Sequence, residues 1–144
     1  MKSTLIILSI FFLAFITSSP ADKITGTWQT AGDDWAHIHI YKSENKYHGK
    51  IVKLKNPLNE NGKPKTDHKN PKASKQTDPI IGLQIINNFS YDGKEEWKNG
   101  TIYDPESGDT YKCVMWLEND NTLNVRGYIG ISLLGRTEKW KRID

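Results

Sequence analysis

The feature that most constrains the fold is a series of short segments in which polar and apolar residues alternate. The segment "WAHIHIYK" (residues 35–42) is the clearest, because Ala36, Ile38 and Ile40 fall on one face of a strand and aromatic or histidine side chains fall on the other. The segments "YHGKIVKLK", "TYKCVMWLE" and "TLNVRGYIG" also read as strands. No window of about a dozen residues shows the period of an amphipathic helix. The segment "DPIIGLQIINNF" is open between a strand and a short helix.

Turn-forming residues between these segments indicate an antiparallel arrangement. Asp92-Gly93 and Asn99-Gly100 are dipeptides that favour tight hairpin turns. Cys113 is the only cysteine, so the chain has no internal disulfide and depends on strand pairing and packing. A closed barrel leaves no open strand edges. The sequence therefore predicts an all-β fold, a single antiparallel up-and-down β-barrel of about eight strands.

The N-terminus carries one positive charge, then the apolar run "LIILSIFFLAFI" and the small residues of "TSSPAD". This order is typical of a secretory signal peptide, which we predict over residues 1–21, with a single barrel domain over residues 22–144. The run is shorter than the roughly 20 residues of a membrane-spanning helix, so no transmembrane span is expected after cleavage. With 20 Lys and Arg against 17 Asp and Glu, the chain has no strong attraction to nucleic acid.

One long polar segment interrupts the succession of strands. Residues 56–79 ("NPLNENGKPKTDHKNPKASKQTDP") are rich in lysine and contain several prolines. A connection of this length is usually either functional or disordered, and its composition leaves both interpretations open.

Two histidines are the first candidates for a functional site. His37 and His39 are spaced so that both side chains leave a strand on the same face, as metal ligands do. A zinc site would need further ligands such as His48, Asp67 or His68, and spacing alone does not bring these together. The simpler interpretation puts both histidines on the wetter face of a half-buried strand. No metal and no other cofactor is expected.

An enzyme is an alternative that the sequence leaves open. Asp67, His68 and Asp104 can supply an acid and a base if the fold brings them together. Such a site would also need Arg126 or Arg136 in the same cleft. No nucleophile with an adjacent base is evident, so a non-enzymatic protein is the favoured interpretation.

The segment "VRGYIGISLLGRTEKWKR" (residues 125–142) places three glycines close to arginines. A phosphate-binding loop needs its glycines between a strand and a helix, and here they lie between two strand-like runs. Gly127, Gly130 and Gly135 are therefore interpreted as the corners of a bent closing hairpin. The apolar tip of this hairpin, residues 129–135, either packs inward or, if exposed, attracts a ligand, a partner or a membrane surface.

Several phrases together resemble one bacterial family. They are "GTWQT", "GKIVKLK", "GKPKTDHKNP", "PIIGLQIINNF", "WKNGTIYDPESGDTYKC" and "LNVRGYIGISLLGRTEKWKR", in order over residues 26–142. They are similar to the exported family called domain of unknown function 2147. The biochemical role of that family is not established, so the resemblance implies no catalytic residues. It implies an exported protein of the bacterial envelope, in the periplasm of a Gram-negative bacterium.

A second resemblance concerns the architecture. Gly26 and Trp28 form a G-x-W pattern near the start of the predicted domain. A late arginine on the closing strand, Arg142 or Arg136, completes a signature similar to that of the lipocalin-type barrels. In that signature the tryptophan closes the base of the barrel and the arginine packs across it. The cation–π attraction would contribute roughly 0.5–2 kcal/mol.

These observations predict a non-enzymatic exported barrel that holds a small apolar or amphipathic ligand. A barrel of about eight strands has room for packed side chains or for one small ligand, and aromatic side chains serve either purpose. The candidate ligand-binding residues are Trp35, Tyr41, Trp97, Tyr103, Trp116, Arg126 and Arg136. The alternative is an envelope interaction or stress-related module, which would contact a protein partner through the 129–135 tip and the 56–79 loop.

Overall fold

Eight antiparallel strands form a closed barrel in the computed structural model, which describes residues 18–130 and 135–144. Each strand pairs with the next one in the chain, and β8 pairs with β1. The predicted up-and-down β-barrel is therefore confirmed. The strands are β1 (Gly26–Gln29), β2 (Ala36–Ser43), β3 (Lys46–Leu54), β4 (Gln84–Tyr91), β5 (Glu96–Asp104), β6 (Asp109–Asn119), β7 (Thr122–Tyr128) and β8 (Arg136–Arg142).

The connections between strands give the barrel two different ends. The β2–β3, β4–β5 and β6–β7 connections are short, at residues 44–45, 92–95 and 120–121. They lie at the same end as the segments that precede β1 and follow β8, and we call this the closed end. The other connections meet at the opposite end, which we call the open end. They include the long segment 55–83 between β3 and β4.

A short 3-10 helix, Pro20–Ile24, covers the closed end. The Trp28 indole donates a hydrogen bond to the Ile24 carbonyl at 2.9 Å, and the Trp97 indole donates to the Ala21 carbonyl at 3.0 Å. Ile24 and Trp28 are fully buried. Both indole N–H groups are thus paired while their rings fill this end of the barrel, as burial of tryptophan requires.

The predicted boundary between signal peptide and domain, at residue 21, falls inside this helix. Because the Ala21 carbonyl accepts the Trp97 hydrogen bond, cleavage after residue 21 would remove an acceptor from the closed end. Residues 1–17 lie outside the described part of the chain, so the signal peptide stays a prediction.

Arg142 crosses the closed end and joins its parts. The guanidinium carbon lies 4.2 Å from the centre of the Trp28 ring, within cation–π distance. Nη1 donates to the Thr25 carbonyl at 2.9 Å and Nη2 to the Lys23 carbonyl at 2.6 Å. Nε donates to the Asp120 carbonyl at 2.7 Å. One side chain therefore holds the N-terminal segment, the β6–β7 turn and the end of β8.

Gly26 makes room for this arginine. Its φ is 128°, and a Cβ at this position would lie 2.5 Å from Nη1 of Arg142. A larger residue would therefore be strained and would displace the guanidinium. The predicted G-x-W and arginine signature is present, and Arg142 holds the arginine position. Arg136 begins β8 at the open end instead.

The alternation in β2 separates a buried face from an outer face, as predicted. Ile38 and Ile40 are fully buried, whereas His37 and His39 are partly exposed at the alternating positions. His37 stacks on Trp35 with 4.6 Å between ring centres. Partial burial lowers the pKa of His37, which favours the neutral ring. The interpretation of both histidines as outer-face residues is consistent with these contacts.

The two predicted hairpin dipeptides have different outcomes. Asp92-Gly93 lies in the β4–β5 turn, where Gly93 has a φ of 82°. Asn99-Gly100 lies inside β5 at a bulge, so the prediction of a turn there is wrong. Glycine is required at position 100 because the Phe89 ring packs against the backbone, where a Cβ would overlap it. The segment left open between helix and strand contributes β4.

The predicted closing hairpin is formed by β7 and β8. A Cβ at Gly135 would lie 2.5 Å from the Gly127 carbonyl oxygen, so the two strands approach closely here. Gly130 has a φ of 78°, a conformation that favours glycine. In the apolar tip, Ile129 is 76% exposed. Outside the described residues lie Ile131, Leu133 and Leu134.

Replacing the arginine of the closed end tests its contribution to stability. We expect Arg142→Met to lower the free energy of unfolding by about 2 kcal/mol or more, because it removes the cation–π contact and three charged hydrogen bonds. Lys141→Met, an exposed neighbour on the outer face, should change it by less than about 0.5 kcal/mol. Urea unfolding monitored by tryptophan fluorescence measures both. Equal losses in the two variants would contradict this role of Arg142.

Candidate functional site

A cavity of about 1440 Å³, partly open to solvent between the loops, lies at the open end of the barrel. This volume exceeds the roughly 300–1,000 Å³ of ordinary small-molecule pockets. Residues of the β1–β2 connection, the long 55–83 segment and the β5–β6 turn surround its mouth. The closed end is filled by side chains, so the open half of the barrel provides the interior space.

Isoleucines form the apolar wall of the cavity. Ile38 on β2, Ile51 on β3, Ile85 on β4 and Ile102 on β5 all line it. Ile38, Ile51 and Ile102 occupy inward positions of their strands, because side chains alternate between the two faces of a sheet. Ile85 is the extra residue at the irregularity in the β3–β4 ladder, between the pairs Gly49–Ile86 and Lys50–Gln84. In a closed barrel of eight strands, β4 and β5 lie across from β8. The apolar wall therefore faces the strand that closes the barrel.

Strand β8 provides the polar wall. Its inward positions in the cavity are Arg136, Glu138 and Trp140, in order from the mouth toward the floor. Arg136 is exposed, Glu138 is partly buried, and Trp140 is 3% exposed. The Trp140 indole donates to Oε2 of Glu138 at 3.3 Å. The cavity thus places a carboxylate and an indole side by side, opposite the isoleucines.

Gly127 lies beside this polar wall. It pairs with Arg136 across the β7–β8 ladder and lines the cavity. A Cβ at this position would lie 3.7 Å from both Ile102 and Tyr111, which is ordinary van der Waals contact. A Cβ therefore fits here without a clash, and a longer side chain would take up space in the cavity.

A buried aspartate fastens the long segment to the barrel. Asp67 is fully buried, and its carboxyl oxygens accept hydrogen bonds from the Tyr103 hydroxyl and from the Asn70 side-chain amide, each at 2.7 Å. Burial and the bond to Asp67 raise the pKa of Tyr103 to about 12. Because Tyr103 lies on β5, this contact holds the segment against the barrel wall.

The long segment reaches across the open end in both directions. Lys69 donates to the Glu106 carbonyl at 2.6 Å in the β5–β6 turn. Lys65 forms an ion pair with Asp34 at 3.6 Å in the β1–β2 connection. Internal hydrogen bonds and the 3-10 helix Ala73–Lys75 organise the segment itself. Of the two interpretations left open for residues 56–79, the structure shows an ordered segment that covers part of the cavity mouth.

The predicted ligand-binding residues occupy three different places. Tyr103 and Arg136 line the cavity. Trp97 is buried in the core and bonded to the N-terminal helix. The remaining four lie on the outer face, at positions that alternate with inward residues: Trp35, Tyr41, Trp116 and Arg126.

The residues of the enzyme alternative come together in part. His68 and Asp104 line the cavity, whereas Asp67 is buried behind its wall. The Asp104 carboxylate accepts hydrogen bonds from the Glu106 backbone and the Ser107 hydroxyl, so it stabilises a turn.

The single cysteine is a buried residue of the core. Cys113 is 2% exposed, and burial raises the pKa of its thiol to about 12, so it is protonated and unreactive at neutral pH. Within residues 18–130 and 135–144, no group of three or more histidine, cysteine or acidic side chains is arranged to hold a metal ion.

Sequence reasoning missed Glu138 and the isoleucine wall. The signal for Glu138 was present, because a period of two in "RTEKWKR" puts it on the same face as Trp140. Of the aromatic residues predicted to bind ligand, Trp35, Tyr41 and Trp116 face outward instead.

The model of a family described as "Uncharacterized protein conserved in bacteria (DUF2147)" matches residues 26–142. The chain belongs to this family. A solved structure that is described as a Helicobacter pylori protein of the lipocalin family has a similar fold, with a TM-score of 0.75 and 20% sequence identity. The alignment covers 84% of this chain and 83% of that one. This member of the DUF2147 family is therefore a lipocalin-like barrel.

Two further observations concern curated relatives and membrane-spanning helices. No curated protein matches the chain. In the part of the chain that the structure describes, no helix is long and apolar enough to cross a membrane.

The contact between the long segment and β5 has a direct test. We expect Tyr103→Phe to lower the free energy of unfolding by about 1–3 kcal/mol, because it leaves the buried Asp67 carboxyl without one of its donors. Tyr41→Phe removes a hydroxyl that donates to Gln84 on the outer face, and should cost less than about 0.5 kcal/mol. Urea unfolding compares the two. A loss in Tyr103→Phe no larger than in Tyr41→Phe would show that the contact does not fasten the segment.

Proposed function

We propose that this protein is a non-enzymatic exported barrel that holds a small apolar or amphipathic ligand in its cavity. The observation that carries the proposal is the cavity itself, about 1440 Å³ in volume and lined by isoleucines beneath a charged mouth. An interior of this kind suits a ligand whose apolar part lies against the isoleucines and whose polar part lies toward β8 and the mouth. Apolar area removed from water would supply most of the binding free energy.

The location of the protein is part of the same proposal. The N-terminal run of residues 5–16 is apolar and is followed by small residues, as in secretory signal peptides. The family is described as conserved in bacteria. We infer that the mature barrel works in the periplasm of a Gram-negative bacterium, where a carrier or sensor of an apolar compound encounters ligands released from the envelope.

We propose a non-enzymatic role because the carboxylate of Asp67 and the thiol of Cys113 are held in structural positions. The buried Asp67 is engaged by Tyr103 and Asn70, and the thiol of Cys113 is held protonated in the core. Neither group is positioned to transfer a proton or attack a substrate in the cavity. We propose that Tyr103 and Arg136 contact the ligand, because both line the cavity.

Filling the cavity tests the proposal. The uncharged fluorophore N-phenyl-1-naphthylamine, which brightens in apolar surroundings, should bind the wild-type protein saturably. Gly127→Leu places a side chain in the cavity without backbone strain, and we expect it to weaken binding by about tenfold or more. Val52→Leu, on the outer face of β3, should leave binding unchanged. Circular dichroism melting curves confirm that both variants fold.

Two results would contradict the proposal. One is wild-type protein that does not bind the probe saturably. The other is Gly127→Leu protein that is folded and binds the probe as tightly as the Val52→Leu control.

A further inference from the structure

We propose that the ligand carries a positively charged head group, a protonated amine or a quaternary ammonium, which lies against Glu138 on the polar wall of the cavity. This inference rests on the proposed function and specifies the class of ligand. It follows from the position of one carboxylate, from the indole beside it and from the charges around the mouth.

Glu138 is a partly buried carboxylate on the inner face of the barrel. It lies on the same face as Trp140, one inward position closer to the mouth, and pairs with Val125 across the β7–β8 ladder. Its hydrogen-bond partner is the Trp140 indole at 3.3 Å. Among residues 18–130 and 135–144, no lysine or arginine nitrogen lies within 4.0 Å of it. Removing a carboxylate from water is unfavourable unless a charge or a donor compensates, and a cationic ligand would provide that compensation.

The aromatic ring beside the carboxylate favours the same head group. Trp140 lines the cavity, and its hydrogen bond keeps the indole next to Glu138. The face of tryptophan attracts cations, and aromatic sites recognise quaternary ammonium groups. A carboxylate with an indole beside it therefore suits a cation better than an anion.

The charges around the mouth act in the same direction. Among the described residues that line the cavity, carboxylates outnumber lysines and arginines, although the whole chain has 20 Lys and Arg against 17 Asp and Glu. Both lining lysines are already engaged, Lys65 with Asp34 and Lys69 with the Glu106 carbonyl. The acidic lining residues are Asp34, Glu60, Asp104, Glu106 and Glu138.

The position of the isoleucines defines the rest of the ligand. Ile85 and Ile102 lie on β4 and β5, across the barrel from Glu138 on β8. A ligand that fills the cavity would place its cationic head beside Glu138 and its apolar body against these isoleucines. An amphipathic amine fits both walls, whereas a fatty-acid carboxylate would meet the carboxylate of Glu138.

Three ligands with the same ten-carbon chain separate head-group charge from apolar binding. They are decyltrimethylammonium, decanoate and the uncharged 1-decanol, each titrated below its micelle concentration or solubility limit into the purified protein by isothermal calorimetry. We expect 1-decanol to bind with most of the binding free energy that the apolar chain contributes. Decyltrimethylammonium should then bind about tenfold more tightly than decanoate.

A matched pair of variants assigns this preference to Glu138. Glu138→Gln should reduce the preference for the cation over the anion to less than about twofold, while 1-decanol binds as before. Glu118→Gln has the same change of net charge on the outer face, where Glu118 pairs with Lys139 at 2.7 Å, and should keep the full preference. Equal preferences in the two variants would overturn the inference.

Arg136→Gln provides a second test on an exposed residue, in case Glu138→Gln does not fold. Arg136 is the basic side chain on the same wall, so its removal should strengthen decyltrimethylammonium binding by a few-fold and weaken decanoate binding. The opposite change would overturn the inference. If 1-decanol binds and wild-type protein shows no charge preference, the inference fails and the proposed function stands. If 1-decanol does not bind either, both fail.

Discussion

The contact between Arg142 and Trp28 is the interaction on which this barrel depends. β1 has four residues and pairs with β8 through Trp28–Arg142 and Gln29–Lys141, so the ladder that closes the barrel is short. The guanidinium at 4.2 Å from the Trp28 ring adds a side-chain contact to that ladder, and its N–H groups bind the carbonyls of the adjoining chain segments. Charged donors to carbonyls are stronger than neutral ones, which offsets the short strand.

Packing at the closed end stabilises the barrel, although its open end contains a cavity. Large aromatic residues and the N-terminal 3-10 helix pack at the closed end, where Tyr47 donates to Asp22 at 2.7 Å. This bond is the first cause of the lowered pKa of Asp22. The buried residues Ile24, Trp28 and Trp97 stabilise this end through packing that does not line the cavity. The long segment held by Asp67 and Tyr103 then narrows the mouth without filling the interior.

The sequence predicted the parts of this structure that depend on local pattern. Alternation in "WAHIHIYK" predicted the buried face of β2, and the G-x-W pattern with a late arginine predicted the closed end. The turn expected at Asn99-Gly100 was wrong because the glycine there serves a tertiary contact with Phe89, which no local preference reveals.

The site was harder to predict, for physical reasons that particular residues illustrate. Alternation placed Trp35 and Tyr41 on the face opposite Ile38. It could not show which face lies outside, because that depends on how the whole sheet closes into a barrel. The bond between Asp67 and Tyr103 joins residues 36 positions apart, and composition could not show that it orders the long segment. Glu138 was readable as an inward residue, yet its importance depends on the cavity around it.

We propose that the open half of the barrel receives an amphipathic cation with its head on β8 and its tail on the isoleucine wall. An ω-bromoalkylammonium soaked into crystals of the protein tests this arrangement, because anomalous diffraction locates the bromine. We expect a bromine peak among Ile51, Ile85 and Ile102, with the ammonium beside Glu138. Bromine confined to the outer surface, with the interior filled by the protein's own side chains, would contradict it.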